Sequence, residues 1–164
     1  MTTITNFQLL ANFNTWANTK IFSYCKELDD TEYKKDRGAF FSSIHGTLNH
    51  LLVVDRAYIS RIEGKDPGLK SLNQILYKNL FQLEEARIKE DKRLVDLVNN
   101  ISEESIHKEI TYKGFEISNT YTINIMLITL FNHQTHHRGQ IHNMLSQADV
   151  KPPQIDIPDF ITQY

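Results

Sequence analysis

Apolar side chains recur every three or four residues over four long stretches of the chain, the period of a helix that buries one face. The first stretch carries Phe7, Leu10, Phe13, Ala17, Ile21, Tyr24 and Leu28, and Asp29-Asp30-Thr31-Glu32 then breaks it with cap-forming side chains. A second runs from about Phe40 to Ile62, with Phe41, Ile44, Leu48, Leu51, Leu52, Tyr58 and Ile62 inward. It ends at the turn-forming Gly64-Lys-Asp-Pro-Gly68. The third is expected to open near Ser71, where Ser71-Leu-Asn-Gln74 has capping-box spacing, and to carry Leu80, Leu83, Arg87, Asp91, Leu94 and Val98 on one stripe. The fourth runs from about Thr120 to Ser146, with Ile123, Leu127, Leu130, His133 or Gln134, His137, Ile141 and Leu145 inside. Before it, Ile110-Thr-Tyr-Lys-Gly-Phe-Glu-Ile alternates around Gly114 and predicts a short hairpin or an extended connection. After Asp149, Pro152, Pro153 and Pro158 predict an irregular tail over the surface. With no repeat or linker, residues 1–164 are expected to form one domain. Four amphipathic helices bury their stripes most simply against one another, as an all-α four-helix bundle.

Composition narrows the function more than the fold. A hydrophobic fraction of 40% with scattered charge fits a globular chain. No apolar run approaches the ~18 residues of a membrane span, and no basic segment leads into an apolar one at the N-terminus. A cytoplasmic protein without a membrane partner is the expectation. The net charge of −2 argues against nucleic-acid binding, which needs Lys and Arg to neutralise phosphates. Cys25 is the only cysteine, so neither an internal disulfide nor a thiolate zinc knot can form.

The chemistry concentrates in His133-Gln-Thr-His136-His137-Arg138-Gly-Gln140-Ile-His142. On a helix, His133 and His137 lie on one face about 6 Å apart at Cβ, a separation at which two imidazoles can close on one divalent ion. A pairing of His133 with His136 is also possible geometrically. Two imidazoles bind weakly, so a third donor must come from another helix. The second helix offers His45, His50 and Asp55, and periodicity does not choose among them. Asp55 falls on the inward stripe, where it suits a ligand, an outer hydrogen-bond partner or half of an ion pair. Arg87 and Asp91 have the spacing of a bridge within the bundle. Arg138 reads as a surface salt-bridging residue, His142 and His107 as exposed ones, and Phe40, Phe41, Tyr58 and Phe131 as core.

Three segments together resemble the DinB family: Leu9-Leu-Ala-Asn-Phe-Asn-Thr-Trp16-Ala17-Asn18, then Phe41-Ser-Ser-Ile-His45-Gly46-Thr47-Leu48-Asn49-His50-Leu51-Leu52-Val-Val-Asp55-Arg56, then Asn132-His133-Gln-Thr-His136-His137-Arg138-Gly139-Gln140. Pro152-Pro153-Gln-Ile-Asp156 fits as well, and Tyr58 stands where relatives often have Trp. The resemblance implies up-down-down-up connectivity and a histidine triad of His50, His133 and His137, with His45 and His136 outside it. It implies a divalent metal ion, zinc or nickel first, and a homodimer, for which Ile125, Ile128 and Val53 lie off the main stripes. It also implies metal-dependent thiol transfer, with a low-molecular-weight thiol such as bacillithiol or mycothiol, or hydrolysis. A metal-bound thiolate or water would then be the nucleophile. No catalytic side chain stands out beyond Asp55 and His136 as bases to consider. The rival expectation is a non-catalytic helical dimer module whose metal, with a fourth protein ligand, only ties helices together.

Overall fold

The computed structural model describes residues 2–113 and 118–163, and four long helices dominate it. They are α1 (Thr3–Cys25), α3 (Ile44–Ile62), α4 (Leu80–Asn100) and α5 (Ile123–Ser146). Two short helices, α2 (Asp30–Lys34) and α6 (Ile157–Gln163), flank them, and β1 (Glu109–Lys113) pairs antiparallel with β2 (Ser118–Thr122) just before α5. The alternating segment is therefore a hairpin. Its centre at Gly114 lies outside the described residues. Each helix from α1 to α5 starts on a short oxygen-bearing side chain. Thr2, Asp29, Ser43, Asn79 and Thr122 each accept a hydrogen bond from a first-turn N–H, which satisfies a donor the helix itself cannot.

α1 and α3 each pack against both α4 and α5. One apolar cluster joins Ile21, Phe22 and Cys25 with Ile44, Leu48, Leu83, Ala86, Ile141 and Leu145. The other joins Phe7 and Ala11 with Ile59, Leu94, Val98, Ile123 and Leu127. The start of α1 thus shares one end of the bundle with the ends of α3 and α4 and the start of α5. That is the up-down-down-up arrangement, and it makes α3 and α4 parallel. Parallel neighbours need a crossover the length of the bundle, and residues 63–79 provide it.

This crossover overturns the expected start of the third helix. Ser71–Gln74 is a turn in which the Gln74 side chain accepts from the Lys70 N–H at 3.0 Å, and the helix begins at Leu80 behind Asn79. The buried Asn49 side chain accepts from the N–H groups of Leu76 and Tyr77 at 2.8 and 3.0 Å and donates to the carbonyls of His45 and Tyr77. Local capping spacing lost to these tertiary bonds. α3 likewise begins at Ile44, because the backbone reverses at Arg37–Ser42, where Ser42 takes a φ of 63°. Phe40, expected in the core, is 86% exposed. Val53, expected off the core, is wholly buried, whereas Ile125 and Ile128 are about half exposed. The tail is not all irregular, since α6 lays Phe160 against Phe13 and Trp16.

Between the two apolar clusters lies a buried polar layer to which every long helix contributes. Arg87 approaches Asp55 at 2.7 Å and Asp91 at 3.0 Å. These contacts are close ion pairs without aligned N–H···O geometry, so Asp55 Oδ1 and the Arg87 nitrogens lack true hydrogen bonds. Asn14 and Asn18 donate to Asp91, Gln134 donates to Asp55, and Arg138 donates to Asn14, Asn18 and Gln134. Two acids and two bases leave the layer neutral.

Candidate metal centre

α3 and α5 bring His50, His133 and His137 together. One ring nitrogen from each lies within 4.8 Å of the others, and among the described residues no fourth histidine, cysteine or carboxylate joins them. Three donors arranged tetrahedrally around an ion at ~2.0–2.1 Å are ~3.4 Å apart, so the spacing fits a metal. The rings pack closely, with centroids 4.3–4.9 Å apart. The i,i+4 pair is His133 and His137; His136 is exposed on a different face.

The outer partners decide which nitrogens are free. His50 Nδ1 lies 2.8 Å from the Leu72 carbonyl in the crossover. A carbonyl only accepts, so Nδ1 carries the proton and Nε2 keeps its lone pair. His137 Nδ1 donates to Gln140 Oε1 at 2.7 Å, which exposes its Nε2 in the same way. His50 Nε2 and His133 Nε2 then face each other at 2.9 Å. With His50 bare, His133 supplies the shared proton, and its own Nδ1 is buried without a partner. A proton is thus held between two imidazoles where a cation would satisfy both.

Electrostatics favour the ligand form. Burial pulls His50 down to about 4, with His137 adding to the shift and the Leu72 bond opposing it. Burial and then the neighbouring histidines pull His133 down to about 3. His137 is also lowered, mainly by burial, with Gln140 opposing. All three are neutral at pH 7, so a metal need not displace positive charge to bind. Phe41 closes one side, stacked on His50 at 3.7 Å between centroids and edge-on to His137.

The other sequence candidates are placed elsewhere. His45 Nε2 meets the Tyr77 carbonyl at 2.9 Å and helps anchor the crossover. Asp55 is half of an ion pair, as one of its three readings allowed. His136 accepts from Gln140 Nε2 at 3.1 Å and sets its ring edge-on to His137, 4.8 Å between centroids, without joining the three converging nitrogens. His107 is exposed, but His142 is half-buried. Arg138 is not a surface residue: it is 3% exposed, in the polar layer. Two outer partners escaped the sequence reading. Gln140 could have been found from its i,i+3 spacing to His137; the Leu72 carbonyl, a main-chain atom in a loop, leaves no sequence signal.

The model of the DinB family matches residues 1–163. The chain belongs to the DinB family. Protein DinB of Bacillus subtilis is 32% identical to it over 149 residues, covering 85% of this chain and 84% of that one. Uncharacterized protein YizA of the same organism is 24% identical over 147 residues, with 85% and 86% covered. The crystal structure of a DinB-like protein from Bacillus cereus superposes with a TM-score of 0.63, covering 87% of this chain and 92% of that one. At 19% identity it speaks for the shared fold alone. No helix among the described residues is long and apolar enough to cross a membrane.

Proposed function

We propose that this DinB-family chain binds a divalent metal ion, zinc or nickel, on His50, His133 and His137 and uses it for thiol transfer or hydrolysis. The observation that carries the reading is the set of imidazole nitrogens turned toward one another with no fourth protein donor among the described residues. An ion held by three neutral ligands keeps its charge and an open position, and so acidifies a thiol or water beside it. The chain's own residues do the rest. Leu72 and Gln140 fix the ring orientations, burial keeps the rings neutral, and Phe41 excludes water from one side. The rival structural module needs a closed set of four ligands, and among the described residues this cluster offers three.

The test is metal analysis of protein purified without an affinity tag, followed by zinc and nickel titration. A thiol-transfer assay with a low-molecular-weight thiol such as bacillithiol then follows. Near-stoichiometric metal and metal-dependent turnover are expected. Full metal occupancy with no reaction of thiol or water on any electrophile would favour the module instead. The same reading includes a homodimer, supported by Tyr121, Ile125 and Ile128 exposed together at the start of α5 and its adjoining strand. Sedimentation of a species of twice 19.2 kDa is the expected result.

A further inference from the structure

A well-formed groove on the molecule holds none of the three histidines. It lies along the other side of α5, between α1 and the proline-bearing tail, and measures about 700 Å³. That is within the ~300–1,000 Å³ of small-molecule sites. Its walls are apolar and partly aromatic, from Phe13 on α1, Phe131 on α5 and Ile155 on the tail. Thr135, Arg138 and His142 supply polar groups along one side of the same helix.

Arg138 gives the groove its character. Among the described residues no carboxylate lies within ion-pair distance of it, and its close partners are the neutral amides of Asn14, Asn18 and Gln134, all reached through Nη1. Nη2 reaches only the Thr135 hydroxyl, at 3.5 Å, and Nε has no paired acceptor there. A guanidinium is charged at pH 7, and the acids of the polar layer, Asp55 and Asp91, lie beyond ion-pair distance of it. Although the layer is neutral as a whole, this buried guanidinium keeps donors that no carboxylate fills, beside aromatic walls, and a planar carboxylate matches its fork. Asp156, the one acid in the lining, is exposed on the tail, where solvent screens it.

We infer that this groove binds a small organic carboxylate with an aromatic or branched apolar body, its carboxylate on Arg138 and Thr135 and its body against Phe13 and Phe131. The site is separate from the histidine cluster, so the inference does not depend on a metal.

Gly139 supplies a clean test. It lines the groove, and a Cβ added there would meet no atom within 4 Å. Gly139→Leu should therefore fill the groove while leaving the helix intact, a change helix propensity itself favours. The probes are cinnamate and its uncharged counterpart, cinnamyl alcohol, titrated calorimetrically into the full chain, with the Trp16 indole resonance as a second monitor. Cinnamate should bind at least tenfold more tightly than the alcohol. Gly139→Leu should lose that binding while keeping its melting temperature and its metal uptake. Equal binding of acid and alcohol would overturn the role of Arg138. Undiminished binding to Gly139→Leu, or no binding to the parent, would overturn the site. So would a parent dimer that Gly139→Leu splits into monomers, because the groove would then be occupied by a second copy.

Discussion

At the level of single residues, the centre separates side chains that share a short stretch of helix but not a role. His137→Ala should abolish tight metal binding, because two imidazoles compete poorly with water, whereas His136→Ala should leave metal content nearly unchanged. Gln140→Leu should weaken binding by ~10–100-fold, the usual cost of losing an outer partner of a ligand. Metal analysis of the three variants checks the order, and equal loss from His136→Ala and His137→Ala would contradict the placement of His136. Acid should also unfold the metal-free protein early. His50 and His133 are held at about 4 and about 3, below the ~6.5 of an unfolded chain. As pH falls below ~6.5 the unfolded state takes up protons first, so stability falls through the window down to those folded values. Asp91, pushed up to about 6 mainly by burial, acts with the opposite sign between its folded value and 3.8. Asp55, raised by burial, acts in the same sense as Asp91, while His137, lowered mainly by burial, adds to His50 and His133; the decline expected is that of three histidines against two acids. Thermal melts from pH 7 to pH 4 should show the decline, and it should flatten in the double variant His50→Gln, His133→Gln. The i,i+4 pair was visible in the helical period, although spacing alone left His133 with His136 open until the family pattern set His136 aside. His50 was not visible there, since its wheel position is ambiguous and only the family pattern chose it.

Single elements show where the chain's local signals hold and where they yield. The long helices follow the apolar period closely, and the hairpin follows its alternation. Their starts depend on what packs against them. Ser71–Gln74 had helix-cap spacing, yet Asn49 draws the following backbone into the crossover instead. Phe40 and Phe41 continued the apolar pattern of α3, but the reversal ahead of Ser43 sends one to solvent and the other onto His50. That reversal needs a glycine in the first turn of α3. A Cβ on Gly46 would stand 2.1 Å from the Phe41 carbonyl oxygen. Gly46→Ala, which would ordinarily stabilise a helix by about 1 kcal/mol, should here destabilise by about 1–3 kcal/mol and lift Phe41 from His50. Urea unfolding measures the first effect and zinc affinity the second. A gain in stability would mean that the loop does not approach the helix so closely.

For the molecule as a whole, the polar layer sets the register of all four helices. Sliding any helix by a turn would move a charge, or in α1 the amides of Asn14 and Asn18, into one of the apolar clusters, so the layer specifies one alignment more than it adds stability. Arg87→Met should cost about 3–5 kcal/mol, because it strands Asp55 and Asp91 without their nearest countercharge. Adding Asp55→Asn alone, which leaves Asp91 as the single acid opposite Arg138, should recover most of that loss in urea unfolding, and failure to recover would mean that shape rather than charge was removed. The sequence displayed this layer only as scattered oddities on the inward stripes, since its pairings span all four helices. The parallel course of α3 and α4 has a different consequence at the crossover. The acceptor that orients His50 there is a main-chain carbonyl, which no substitution at Leu72 can delete. Changes of residue type through much of this loop should be nearly silent for metal uptake. A change in loop length should not be, because it moves the carbonyl itself. Deleting Asn73 should therefore lower zinc affinity more than replacing Leu72 by Ala, although neither residue contributes a side chain to the triad. The metal centre would then tolerate sequence drift in this loop and resist insertions and deletions.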